Sequence, residues 1–119
     1  MIEGRFGEKG ELFFELELVV PDGNLLVEAL LDSGFTEFLA LNKQDVENLD
    51  WLYSDQEELL TAKGLFVFDI YIGKIILNGQ EFEIPVFAGD DIQEILLGCQ
   101  WLKRFKLVAD YQENLLTLG

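Results

Sequence analysis

The chain contains no histidine, a single cysteine and only two prolines. The missing histidine removes Ser-His-Asp triads, Cys-His dyads and the usual histidine-bearing zinc sites together. Cys99 alone cannot form an intrachain disulfide, and with no histidine to activate it the thiol reads as a structural side chain. One cysteine and no disulfide framework lean towards the cytoplasm as the compartment. Basic residues are also scarce: 8 Lys and Arg face 23 Asp and Glu, a formal charge of −15. Nucleic acid and anionic membrane surfaces attract the opposite sign, so neither is an expected partner. The acidity is read as a solvated surface that favours solubility. No apolar run reaches membrane-spanning length, and the N-terminus has no basic-then-apolar leader pattern. Ile2-Glu3-Gly4-Arg5 matches a processing-protease recognition sequence and, directly behind Met1, is read as native. What remains is 119 residues, half of them apolar. That is enough for one core and too little for two, so one domain over 1–119 is expected.

Leu12, Phe14, Leu16, Leu18 and Val20 alternate with Glu11, Phe13, Glu15, Glu17 and Val19, the period of a half-buried strand. Pro21-Asp22-Gly23-Asn24 is turn chemistry, and 25–31 returns as a second strand. Phe38-Leu39-Ala40-Leu41 reads as a short buried strand, followed by Asn42 as the N-cap of a short helix with Val46 and Leu49 on its apolar stripe. A polar turn is expected over 54–58. Residues 59–62 and 65–77 flank Lys63-Gly64 as a hairpin, and Asn78-Gly79 is a two-residue hairpin signal returning into 81–88. Gly89-Asp90-Asp91 ends that strand, and Asp90-Asp91 with Glu94 reads as a solvated turn, since the spacing fits no calcium loop. Trp101, Leu102 and Phe105 suit a short helix with one inward face, and 106–111 and 115–118 close the chain as a hairpin around Gln112-Glu113-Asn114. The expected fold class is all-β with two short helices.

One stretch stands apart. Leu30-Leu31-Asp32-Ser33-Gly34-Phe35-Thr36 puts a carboxylate at the end of an apolar strand, then a hydroxyl, then a glycine that permits a sharp turn and a close backbone approach. An acid there is costly unless it is hydrogen-bonded or used. Ile95-Leu96-Leu97-Gly98 repeats the apolar-apolar-glycine theme without the acid.

Asp32-Ser33-Gly34, the Lys63-Gly64 hairpin and Leu96-Leu97-Gly98 stand in the order found in the retropepsin-like (clan AA) aspartic proteases. The chain resembles that family over nearly its whole length, most closely the small single-domain bacterial type. The stretches from Asp32 to Leu41, Val67-Phe68-Asp69-Ile70-Tyr71 and Leu96-Leu97-Gly98-Cys99-Gln100-Trp101-Leu102 carry the detail. The resemblance implies a closed β-barrel or sandwich of antiparallel strands with one or two short helices and a flap hairpin. It implies a catalytic loop of Asp32, Ser33 and Gly34, a flap at Ala62, Lys63 and Gly64 over peptide substrate, and Leu96, Leu97 and Gly98 as support behind the loop. No metal or other cofactor is implied. One loop is half of a two-carboxylate site, so the implied partner is a second copy of the chain, related by a two-fold axis.

Four departures are visible. Ser33 stands where threonine is usual, Phe35 where many relatives carry a small residue, Cys99-Gln100 where retroviral relatives carry a basic brace, and Lys63-Gly64 where bacterial relatives often carry Asp-Gly. Phe66, Phe68 and Ile84 are candidate subsite walls, with plain core the favoured reading, and Trp51 and Trp101 are read as core or interface residues. The alternatives to a homodimeric endopeptidase are a binding or assembly module that keeps the fold without the activity, and a half-site completed by a different chain.

Overall fold

The alternation in 12–20 does what its period requires. In the computed structural model, which describes residues 1–61 and 64–119, these residues form one strand with Phe14, Leu16 and Leu18 buried along one face. The strands are β1 (Ile2–Glu3), β2 (Arg5–Phe6), β3 (Leu12–Val20), β4 (Gly23–Leu31), β5 (Leu39–Asn42), β6 (Leu52–Thr61), β7 (Gly64–Leu77), β8 (Gln80–Gly89), β9 (Leu96–Leu97), β10 (Leu107–Asp110) and β11 (Leu115–Leu118). A helix α1 (Lys43–Glu47) follows β5, and a 3-10 helix spans Cys99–Lys103. Asn42 caps α1 as expected, its side-chain oxygen accepting from the Gln44 N–H.

Neighbouring strands run β3-β4-β9-β5-β8-β7, and β7 returns to β3 through Glu17 opposite Ile76 and Leu18 opposite Ile75. Six strands therefore close a barrel, which leaves no free edge within the ring. The pairing is mixed: β4–β9 and β5–β8 are parallel and the other pairs in the ring are antiparallel. β2 and β6 lie outside the ring, on β3 and β7. The two chain ends form a separate antiparallel sheet, β1-β11-β10. Two-residue strands such as β1 and β2 carry no periodicity, and the sequence gives no sign of them.

The main core fills the barrel with Phe14, Leu16, Leu39, Leu41, Ile75, Val86, Leu97 and Trp101 among its buried members. Asn78 and Gly79 both take positive φ, 54° and 74°, the backbone that a two-residue hairpin needs for its twist. Two local expectations are corrected. Residues 54–58 are the middle of β6 rather than a turn, because β7 is long enough to pair with them, with one register slip between Tyr53 and Asp55. Leu102 points outward while Trp101 is fully buried, since a five-residue 3-10 helix presents only one side chain to the core here. No helix among the described residues is long and apolar enough to cross a membrane.

Candidate active site

The parallel register of β4 and β9 determines what meets at this end of the barrel. Leu30 lies opposite Leu96 and Leu31 opposite Leu97, so the residues that follow, Asp32 and Gly98, leave the sheet side by side. The Asp32 N–H donates to the Leu97 carbonyl at 2.9 Å, extending the ladder by one step. Beyond it the chain turns: the Phe35 N–H donates to the Asp32 carbonyl at 3.1 Å, and the Gly34 N–H donates to Asp32 Oδ1 at 2.9 Å. Ser33 and Gly34 are exposed at the tip, and Asp32 is half-buried. No cation pairs with the Asp32 carboxylate among the described residues.

The loop after Asp32 is fastened to the segment after β9 by four further hydrogen bonds. The Gly98 N–H and the Trp101 indole N–H both donate to the Phe38 carbonyl, at 2.9 and 2.8 Å. The Cys99 N–H donates to the Phe35 carbonyl and the Gln100 side-chain amide to the Thr36 carbonyl, each at 2.9 Å. These bonds satisfy a turn that has no ladder of its own. A Cβ on Gly98 would overlap the Glu37 carbonyl oxygen and lie 2.8 Å from that of Phe35, so only glycine fits between the two loops. Gln100 and Trp101 as donors to this loop escaped the sequence reading. A polar side chain two residues beyond the second glycine was the available signal.

A smaller apolar cluster sits beside the loop. Ala40, Phe68, Ile70 and Phe87 are its buried members, with Phe35, Leu59, Phe66, Ile92 and Leu96 against them. The Phe35 and Phe87 rings meet edge to face at 6.0 Å. Phe66 and Phe68 thus lie with Phe35, whereas Ile84, expected beside them, belongs to the main core. Glu37 is partly buried in the same loop, and that burial, with Glu57 of β6 nearby, holds its carboxyl above the usual carboxylate range. Of the hairpin residues expected over the site, Ala62 and Lys63 lie outside the described residues. Gly64 begins β7, opposite Thr61 at the end of β6. An open depression of about 330 Å³ near Val20, Pro21 and Trp51 lies by the start of β4, away from Asp32. Among the described residues no group of three or more acidic or cysteine side chains is placed to hold a metal.

The chain is similar to three solved protease structures. A retropepsin-like aspartic protease from Rickettsia conorii matches with a TM-score of 0.64 and 22% identity, over 98% of this chain and 88% of that one. The EIAV protease in complex with an inhibitor matches at 0.63 and 16% identity, over 83% and 91%. The solution structure of the Simian Foamy Virus (mac) protease matches at 0.50 and 23% identity, over 76% and 97%. The fold is the retropepsin fold. No protein-family model and no curated protein matches the chain. At these identities the retropepsin fold fixes the scaffold, and the chemistry has to be argued from the residues on it.

Proposed function

We propose that the chain is an aspartic endopeptidase that works as a homodimer, with Asp32 of each copy forming the acid–base pair. One observation carries this reading. A carboxylate with no cationic partner among the described residues sits on a sharp turn whose backbone is fastened on both sides, at the end of a retropepsin-fold barrel. A structural acid would be expected to pair with a cation or cap a helix; among the described residues this one accepts from the N–H two residues on.

In the proposed site two Asp32 carboxylates face each other across a two-fold axis. Like charges so close cannot both ionise, so the pair holds one proton. The ionised carboxylate takes a proton from a water whose oxygen bonds to the scissile carbonyl carbon. The protonated one donates a hydrogen bond to the carbonyl oxygen as charge develops there. Collapse of the tetrahedral species breaks the C–N bond, and the proton passes to the departing amine. Ser33 holds the paired loops rigid, Gly34 permits their close approach, and Leu96, Leu97 and Gly98 back the loop. The β6–β7 hairpin closes over an extended peptide.

The test is cleavage of a mixed unstructured peptide pool from acid to neutral pH, at low and high salt, over a range of dilute protein concentrations. Products should rise with the square of concentration and vanish in Asp32→Asn while that variant keeps its melting transition. Absence of cleavage wherever sedimentation shows a dimer would overturn the reading and leave a binding module in its place.

A further inference from the structure

Asp69 is the one buried charged residue among the described residues. Its place in β7 is particular. β7 is paired with β8 from Asp69 (opposite Ala88) to Leu77, but residues 64–68 pair only with β6. Asp69 is therefore the first residue at which β7 is held from both sides, opposite Gln56 on one and Ala88 on the other. Beyond it β6 and β7 continue as a two-stranded arm, a structure that is marginal unless it packs on something.

The arm has two faces. Leu59, Phe66 and Phe68 turn inward onto the small cluster with Phe35 and Phe87. On the other face Asp69 Oδ1 accepts from the Gln56 side-chain amide at 3.0 Å, and Asp69 Oδ2 meets Lys43 Nζ at 3.0 Å. Lys43 opens α1, directly after β5, which links the Asp32 loop to the helix. Three elements thus converge on one carboxylate at the root of the arm. The Gln56 and Lys43 hydrogen bonds hold Asp69 below the ordinary carboxylate range, and Asp69 in turn raises Lys43. A depression of about 150 Å³ lined by Lys43, Gln56, Val67, Asp69 and Asp90 leaves Lys43 partly in solvent, so its side chain is replaceable without opening a hole.

We propose that Asp69 is a positioning residue, a pin at the hinge of the β6–β7 arm that fixes where the arm's inner face stands against Phe35 and the Asp32 loop. Only the expected effect on KM rests on the endopeptidase reading; the pin itself does not. Lys43→Met removes one partner and leaves a nearly buried carboxylate with Gln56 alone. Amide hydrogen exchange is the readout. Hydrogen-bonded amides of 57–60 and 65–68 should exchange at least about tenfold faster in Lys43→Met, with the amides of β3 and β4 changed less than about twofold. Lys43→Arg should restore the wild-type pattern, and Asp69→Asn should reproduce the Lys43→Met pattern. Acceleration spread evenly over arm and barrel, or no change in the arm, would overturn the pin. On a cleaved peptide, Lys43→Met should raise KM with kcat within about twofold. If the wild-type protein cleaves nothing, the endopeptidase reading fails while the exchange experiment still decides the pin.

Discussion

Gly98→Ala tests how tightly the Asp32 loop is seated. The added Cβ would overlap the Glu37 carbonyl oxygen and stand 2.6 Å from the Glu37 carbonyl carbon and 2.8 Å from the Phe35 oxygen. Carbon atoms in contact settle about 3.5–4.0 Å apart, and the overlap with the Glu37 oxygen is deeper still, so one loop has to retreat by more than about an ångström. All three obstructing atoms are backbone, which cannot rotate aside as a side chain can. The retreat strains the Gly98-to-Phe38 and Cys99-to-Phe35 hydrogen bonds together. Overpacking a well-filled site costs about 1–3 kcal/mol and sometimes more, and a backbone clash belongs at the upper end. We expect a loss of about 3 kcal/mol in urea unfolding with an unchanged slope, and a fall in Tm of about 10 °C. Gly34→Ala is the control: its Cβ would meet only Asp32 Oδ1, at 3.2 Å, and should cost under about 1 kcal/mol. A Gly98→Ala protein within about 0.5 kcal/mol of wild type would show that the loops are not in hard contact and would refute the reasoning.

Two further outcomes are expected. Glu37 is held above the usual carboxylate range by burial and by Glu57, so its contribution to stability is fully present below its unfolded pKa and lost as pH rises through the folded one. Glu37→Gln should therefore gain stability over wild type at neutral pH and lose that advantage in acid, as followed by urea midpoints across pH. Each copy carries −15, so the proposed homodimer would assemble against its own charge. Its dissociation constant by sedimentation should fall with added salt or on acidification, and a salt-independent constant would contradict the electrostatic argument.

Most of the longer strands of this protein were legible because they are written in local signals. The alternation at 12–20, the Asn78-Gly79 turn and the Asn42 cap each need only neighbours a few residues away, and each stands where expected. Residues 54–58 misled because their polarity reads as a turn; they are a strand only because 14 residues of β7 offer them a partner. Asp32-Ser33-Gly34 was singled out by an acid ending an apolar strand, a pattern visible in one dimension.

The sequence by itself determined most of the longer strands, the capped helix and the loop worth watching, because hydrophobic period and turn chemistry act over a few residues. Tertiary structure alone decided three things. It inserted β9 between β4 and β5 so that Gly98 faces the Asp32 loop. It closed the ring through β3 and β7, and it gathered Lys43, Gln56 and Asp69 at the root of one arm. These contacts join residues 13 to 66 positions apart. At such separations the partner is chosen by barrel closure and register, for which no single stretch of sequence carries a signal.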